Sequence, residues 1–257
     1  MWRHFSSETE ALADRWATMT MTPDHWEVGD LIANTQTQPR HVQSGHVAGV
    51  GKPMVILGDG KSRAAHERIA FELGYRLGLP VLPVLLWDRS GIAGAEPHAC
   101  VMAWAFKPVS PLNIGVAALA VAERSAIAPE MSALIAFDFW LADTDRKSDH
   151  VVITKAPGRH PAIATLDYSN SMSHVWDCDN HPATSSDWFR NEWGGLGIPF
   201  DAAAFDQSLT AIENFPDEQI RDIVGNVPSA FLPNDPKRFI ISNLTSRKSH
   251  LRQMIKI

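Results

Sequence analysis

The chain has 257 residues, 45% hydrophobic and 20% charged, which predicts a soluble globular protein with one two-lobed domain or two small ones. Its formal net charge of −6 and its lack of a Lys/Arg run argue against a nucleic-acid partner, and no apolar run is long enough to predict a membrane span. Cys100 and Cys178 are the only cysteines and no secretory leader precedes them, so we expect a cytoplasmic protein without a disulfide framework.

The N-terminal part is predicted to contain one short helix followed by strands. Residues 6–19 begin with Ser and acidic residues and carry apolar residues at helical spacing. Strand-like segments follow within residues 24–57, and none of them contains a complete glycine-rich nucleotide motif. The polar run 34–38 has two interpretations, a phosphate-facing loop or a plain exposed turn.

Lys52 and Glu67 form the first candidate pair for binding phosphate. Lys52 lies in a strand-like segment and faces away from its core pattern, and Glu67 follows in a predicted helix within residues 61–80. Kinases use such a pair to hold ATP phosphates, because the carboxylate fixes an otherwise mobile ammonium group. The alternative is an exposed lysine and a solvated helix face. Lys61 and Glu72 are the next candidates for the two roles.

The middle of the chain is predicted to hold two buried strands and then two helices. The strands lie within residues 79–87 and 99–106, and both are rich in apolar residues. A connector with several turn-forming residues follows at 107–111, so we place a lobe boundary near residue 107. Residues 112–124 and 130–142 then predict helices.

The stretch 137–172 contains the candidate catalytic residues. An apolar helix ends in a charged loop from Asp143 to His150, two short strands follow within residues 151–166, and Asp167 comes next. This order returns Asp167 to the loop that carries Asp145, so we expect two or three carboxylates to meet. Phosphoryl transfer needs such a cluster to orient the nucleophile and to hold a metal. The alternative is a solvated helix-capping turn.

The segment after residue 172 permits a further metal site. His174, Cys178 and His181 are spaced so that they could bind zinc, but a zinc site needs four ligands and no second cysteine is near. A loop that orders a substrate and a plain structured loop are the alternatives.

The C-terminal third is predicted to be helical, with the last helix within residues 236–255. We expect its apolar residues on one face and its basic residues on a solvated opposite face. The apolar set is Phe239, Ile240, Leu244, Leu251 and Ile255, and the basic set is Arg238, Arg247, Lys248 and Arg252.

Two groups of these residues resemble the motifs of HipA-like protein kinases, a family within a wider group that includes the phosphatidylinositol-kinase-like fold. The first is Asp145-Arg146 after an FDFW helix, followed by two strands and LDYSNS. The second is Lys52-Pro53, a helix with an early Glu, and LGLPVLP. The resemblance covers roughly residues 45–257.

The resemblance implies an α+β, two-lobed protein-kinase-like fold. A small strand-rich N-lobe with one αC-like helix would span residues 1–106, and a larger helical C-lobe would span residues 107–257. In such a site Asp145 would orient the nucleophilic hydroxyl and Arg146 would brace the loop. The other implied roles are ATP phosphate binding for Lys52 and Glu67, adenine contacts for the backbone of Met102, Ala103 and Trp104, and metal binding for Asp167 and His150.

Two positions depart from the family pattern. Asp143 stands where an Asn is usual, and His150 stands where the metal-binding Asn is expected. The second departure bears on the cofactor, because Mg²⁺ prefers oxygen ligands whereas imidazole suits ions such as Mn²⁺ or Zn²⁺.

Three functions therefore stay open. The first is a HipA-like Ser/Thr protein kinase that uses ATP with Mg²⁺ or Mn²⁺ and acts on an unidentified protein substrate. The second is a pseudokinase, a nucleotide-binding or interaction module with little turnover. The third is a metal-dependent hydrolase that uses the Asp/His cluster.

Overall fold

The computed structural model describes residues 7–22, 25–32, 39–53, 63–90, 98–105, 110–143, 145–154, 160–172 and 193–255. The polar run 34–38, Lys61 and the proposed zinc ligands His174, Cys178 and His181 lie outside these residues. The lobe boundary near residue 107 also lies outside them, so the division into residues 1–106 and 107–257 stays a prediction.

A five-stranded antiparallel sheet forms the first part of the structure. Its strands are β1 (Glu27–Leu31), β2 (Arg40–Ser44), β3 (Val47–Pro53), β4 (Val84–Asp88) and β5 (His98–Ala105), in the spatial order β1-β2-β3-β5-β4. Two helices, α1 (Ser7–Ala17) and α2 (Arg63–Leu77), contact β5. The β3–β5 register places Lys52 opposite Cys100 near the end of β3.

Helix α2 is buried along most of its length, including several charged residues. It ends as its sequence predicts, because Gly78 adopts the left-handed backbone (φ 69°) and the Leu79 N–H donates to the Gly74 carbonyl over 2.8 Å. Glu72 accepts hydrogen bonds from the Arg68 and Arg76 guanidinium groups, at 2.9 and 3.0 Å. Glu72 is therefore engaged within the helix, one turn beyond Glu67.

The next part contains short helices, one long helix and a small sheet. The helices are α3 (Leu112–Gly115), α4 (Val121–Ala126) and α5 (Ala128–Leu141), and the strands β6 (Ser110–Pro111), β7 (Val151–Thr154) and β8 (Ala162–Thr165) pair in the order β6-β7-β8. The prediction of one helix over 112–124 is wrong. A 3₁₀ turn over residues 116–118 ends in extended backbone at Leu119, and the Glu123 carboxylate accepts from the Ala120 N–H at 2.9 Å to begin α4.

Helices α6 (Gly194–Leu196), α7 (Ala202–Glu213), α8 (Asp217–Gly225), α9 (Asn234–Lys248) and α10 (Leu251–Met254) complete the described chain. The final predicted helix is thus divided between α9 and α10. Its expected faces need two corrections. Phe239 is 37% exposed, and Arg247, placed by the prediction on the solvated side, is only 3% exposed.

The centre of the helical part is α5, which is apolar on all sides and buried. It packs against α7, and the Trp140 indole N–H donates to the Leu244 carbonyl in α9 at 2.9 Å. This packing fixes the C-terminal end of α5, from which the candidate catalytic loop leaves. In the described ranges, no helix has both the length and the apolar character needed to cross a membrane.

Candidate active site

Lys52 lies at the centre of a buried group of charges. Its Nζ is 2.8 Å from Glu67 Oε1 and 2.6 Å from Asp167 Oδ1. Burial lowers the pKa of Lys52, but the two carboxylates outweigh it and raise that pKa above its ordinary value. Strand β3, helix α2 and the segment after β8 therefore bring together three residues that the sequence singled out.

The backbone around Asp167 holds its carboxylate in place. Asp167 adopts φ 65°, a left-handed conformation that Asp tolerates better than most residues. The next residue, Tyr168, donates its N–H to Glu67 Oε2 at 2.8 Å, and the Ser169 hydroxyl donates to Asp167 Oδ1 at 2.5 Å. Burial raises the pKa of Asp167, but Lys52 and His150 outweigh it and hold that pKa well below its ordinary value. Asp167 is therefore ionised at neutral pH.

Arg146 connects the loop to the surrounding structure. Its guanidinium group donates to both Asp138 carboxylate oxygens, at 2.8 and 3.0 Å, and lies 2.9 Å from Asp143 Oδ2. It also donates to the Leu166 carbonyl at 2.8 Å and lies over the Tyr168 ring, 4.5 Å from the centroid. The loop after α5 is therefore fixed to the residues before and after Asp167 by a single buried side chain.

Asp145 lies at the more exposed side of this group. Its backbone N–H donates to Asp143 Oδ1 at 3.1 Å, which orients the loop. Both of its own carboxylate oxygens are engaged: Oδ1 lies 2.7 Å from Lys147 Nζ, and Oδ2 accepts from Asn170 Nδ2 at 3.2 Å. The Lys147 side chain is about half exposed, so its contact with Asp145 can open without a large loss of stability.

His150 faces Asp167 from the 3₁₀ turn before β7. Its Nε2 is 3.7 Å from Asp167 Oδ2 and 3.8 Å from Asp149 Oδ1. Its Nδ1 is buried and has no hydrogen-bond partner among the residues that the structure describes. Burial is the main cause that lowers the pKa of His150, so the neutral imidazole predominates at neutral pH. A neutral imidazole is the form that binds metals.

The predicted adenine-binding residues lie in β5. Met102 pairs with Val50 on one side and Val84 on the other, and the Ala103 N–H donates to the Pro83 carbonyl at 3.0 Å. Strand β4 begins at Val84, opposite Met102, and Trp104 has a register partner only in β3 among the described strands. The contact of Met102, Ala103 and Trp104 with adenine stays a prediction.

Two residues at this site were not singled out from the sequence. They are Lys147, two positions after Asp145, and Asn170, three positions after Asp167. Each contacts one oxygen of Asp145. Both lie in the two segments that the catalytic hypothesis brought together, but their spacing along the chain does not single them out.

Comparison with known proteins adds information on the fold. No protein-family model and no curated protein matches the sequence. The structure is similar to that of the Helicobacter pylori proinflammatory kinase CtkA, with a TM-score of 0.58 and 12% identity over 92% of this chain and 98% of that one. At this identity the likeness shows the fold alone.

Two further solved structures match at lower TM-scores. One is WaaP in complex with acyl carrier protein, with a TM-score of 0.45 and 13% identity over 84% of this chain and 88% of that one. The other is the Leishmania major MAP kinase LmaMPK10, with a TM-score of 0.35 and 11% identity over 97% of this chain and 84% of that one.

The α+β, kinase-like fold that the sequence predicted is confirmed by the architecture and by the likeness to CtkA.

Proposed function

We propose that the chain is an ATP-dependent phosphotransferase, and more specifically a HipA-like Ser/Thr protein kinase that acts on a protein hydroxyl. The observation that carries this proposal is the position of Lys52 between Glu67 and Asp167, at 2.8 and 2.6 Å. Phosphoryl transfer requires a fixed cation for the phosphates next to an acid that can hold a metal, and the three residues would supply both.

Lys52 would bind the ATP phosphates. Its two carboxylate partners keep it charged and leave little freedom to its ammonium group, so a phosphate oxygen would meet a preorganised donor. Glu67 is itself held through Oε2 by the Tyr168 N–H, which ties the phosphate-binding lysine to the segment carrying Asp167. A displacement of α2 would therefore disturb both functions together.

Asp167 and His150 fit a divalent cation. Asp167 Oδ2 and His150 Nε2 lie 3.7 Å apart, so these two atoms would hold one divalent cation between them. In the described part of the chain, no group of three or more His, Cys, Asp or Glu side chains is arranged so that it could hold a metal ion by itself. Two protein ligands suit an ion that completes its coordination with ATP oxygens and water, as Mg²⁺ does, and the imidazole favours Mn²⁺. The ion would supply neutralisation of phosphate charge.

Asp145 would orient the nucleophilic hydroxyl and accept its proton while the new oxygen–phosphorus bond forms and the bond to the ADP leaving group breaks. Its Oδ2 is positioned by Asn170, which leaves Oδ1 for the substrate once Lys147 moves. A half-exposed cation beside the nucleophile is suited to the γ-phosphate. We therefore infer that Lys147 exchanges its contact with Asp145 for one with ATP.

The adenine ring would lie at the end of β5 beyond Met102, Ala103 and Trp104. In an antiparallel strand, alternate residues direct both backbone groups to the same side. Because the Ala103 N–H is directed to the β4 side, the Ala105 backbone groups face that side too, at a position that β4, which begins opposite Met102, does not cover. Ala105 is therefore an additional candidate for the adenine contact.

The test combines nucleotide binding with transfer. Thermal unfolding is measured with ATP and either Mg²⁺ or Mn²⁺, and label transfer from γ-labelled ATP to a generic Ser/Thr protein substrate is measured in parallel. We expect metal-dependent stabilisation by ATP in the native chain and in Asp145→Asn, loss of stabilisation in Asp167→Asn, and transfer by the native chain alone. Stabilisation should reach about 2.7 kcal/mol at one hundred times Kd.

The other two functions have distinct outcomes in the same experiment. ATP binding without transfer under any metal condition would identify a pseudokinase. Metal binding at Asp167 and His150 without any effect of nucleotide would contradict the ATP site and favour the hydrolase.

A further inference from the structure

Arg247 is a buried cation far along the chain from the residues of the candidate active site. It lies near the end of α9 and is 3% exposed. Its Nε donates to the Phe139 carbonyl in the last turn of α5 at 2.6 Å. This contact brings the guanidinium group beneath the point at which α5 ends and the catalytic loop begins.

The second terminal nitrogen of Arg247 lacks a partner. Among the described residues, no acceptor hydrogen-bonds to its buried Nη2 and no carboxylate forms an ion pair with the side chain. Burial alone lowers the pKa of Arg247, to about 9. The adjacent Lys248 differs, since its Nζ lies 2.5 Å from Asp217 Oδ1. The carbonyl end of α5 compensates part of the charge through the Nε contact with Phe139, but the buried Nη2 has no acceptor, and leaving such a donor unpaired is unfavourable.

A small cavity of about 10 Å³, partly open to solvent, lies beside the guanidinium group. Its size admits about one water-sized group, such as a single oxygen of a larger ion. Apart from Asn243, the described residues that line it are Arg247 and residues with apolar side chains, and none of them is acidic. The residues that line it are Trp140, Leu141, Ala142, Met172, Asn243, Leu244 and Arg247.

We propose that this cavity binds a small oxyanion, a carboxylate or a phosphate, with one oxygen on Arg247 Nη2. A guanidinium donor prefers these groups because its planar N–H donors match their oxygen atoms. The mainly apolar lining leaves few competing side-chain acceptors and reduces contact with water, which strengthens the interaction.

The cavity lies where the loop after α5 begins, so a bound oxyanion would affect the backbone of that loop. Ala142 has a left-handed backbone (φ 51°), and the Met172 N–H donates to the Leu141 carbonyl at 2.6 Å. Residues on both sides of the catalytic segment thus meet at the cavity wall. An oxyanion there would join α9 to the end of α5 and to Met172, and would stabilise the backbone that positions Asp143. This inference does not depend on the proposed phosphotransfer.

The test uses thermal unfolding of the full chain with formate or inorganic phosphate, at constant ionic strength against chloride. We expect either oxyanion to raise the melting temperature saturably, by about 5 °C or more at one hundred times Kd. The rise should disappear in Arg247→Met and persist in Arg252→Met, a matched change at an exposed arginine of α10. Formate and phosphate in separate arms distinguish a carboxylate from a phosphate ligand.

A second measurement on the native chain covers the case that Arg247→Met does not fold. The Arg247 Nε–H, held on Phe139, should give a protected NMR signal that shifts saturably with formate or phosphate. An equal effect of chloride, a rise that persists in Arg247→Met, or an Nε–H signal that does not respond to either oxyanion would overturn the proposal.

Discussion

Replacing Lys52 with Met tests whether the buried charges at the site are arranged as described. Methionine keeps a similar side-chain volume and removes the ammonium group, so Glu67 and Asp167 would face each other without a counter-charge. Lys52 is 5% exposed and Glu67 is 1% exposed, so water cannot replace the lost contacts. Breaking a buried pair by removing one partner costs about 3–5 kcal/mol, and we expect Lys52→Met to lower the free energy of unfolding by this amount at neutral pH.

The assay is urea denaturation followed by circular dichroism, arranged as a double-mutant cycle with Glu67→Gln. The double variant should be less destabilised than the sum of the single variants, because Glu67→Gln removes one of the unpaired carboxylates. A coupling of about 2 kcal/mol or more is expected for groups in direct contact. Lys147→Met is the matched control, since its pair with Asp145 is largely exposed and should contribute at most about 1 kcal/mol.

The pH dependence gives the prediction a second test. Lys52 helps hold the folded-state pKa of Asp167 below its ordinary value, so this stabilisation is present above the unfolded pKa of about 3.9 and is lost as the pH falls through the lower folded value. Without Lys52, both carboxylates should instead take up protons in mild acid. The destabilisation by Lys52→Met should therefore be largest above pH 7 and shrink toward pH 4. A loss below 1 kcal/mol at neutral pH, or one that does not change with pH, would refute the reasoning.

Three further substitutions test the metal, a buried acid and the packing. His150→Asn should shift the preference of ATP binding from Mn²⁺ toward Mg²⁺ by roughly tenfold, measured by titration calorimetry, and an unchanged metal ratio would exclude His150 as a ligand. Burial raises the pKa of Asp143 to about 7, so the folded state loses stability as the pH rises from about 4 to 7. In urea denaturation at pH 4 and 8, Asp143→Asn should reduce this loss by up to about 4 kcal/mol. An equal loss in the variant and the native chain would contradict the prediction. Gly74→Ala should destabilise the protein by about 1–2 kcal/mol, because the added Cβ would lie 2.4 Å from Val81 Cγ2. Gly225→Ala is the control and should not destabilise it, because the added Cβ would meet no atom within 4 Å. Equal melting temperatures for the two variants would contradict this prediction.

The sequence predicted the charge cluster because the chemistry restricts the residue types. A phosphate-binding lysine needs a carboxylate partner, which pointed to Lys52 and Glu67, and the resemblance to HipA-like kinases implied Asp167 as the metal-binding acid. The structure places Lys52 within 3 Å of both carboxylates. The partners of Asp145 could not be selected in this way, because Lys147 and Asn170 depend on how two loops approach each other.

Arg247 shows a different limit of sequence reasoning. Its charge suggested an exposed face, yet its spacing of seven residues from Ile240 and four from Leu251 places it on the buried side of the C-terminal helices. For Arg247, the helical spacing predicts burial correctly, whereas the charge of the side chain predicts exposure incorrectly. The helix predicted over 112–124 failed for a related reason, since apolar periodicity continues across the extended backbone at Leu119.

The charged residues of the catalytic segment divide by burial, and the division matches what phosphotransfer would require of each. Arg146 is buried with Asp138 and Asp143. Breaking a buried ion pair costs several kcal/mol of stability, so Arg146 holds the backbone of the loop in place. Lys147 and Asp145 form a more exposed pair that opens at little cost. A catalytic acid must exchange its partner for a substrate hydroxyl during each cycle, whereas the residues that position it must not move. Under the proposed function, the adjacent positions 145, 146 and 147 would meet opposite requirements, and exposure rather than residue type separates them.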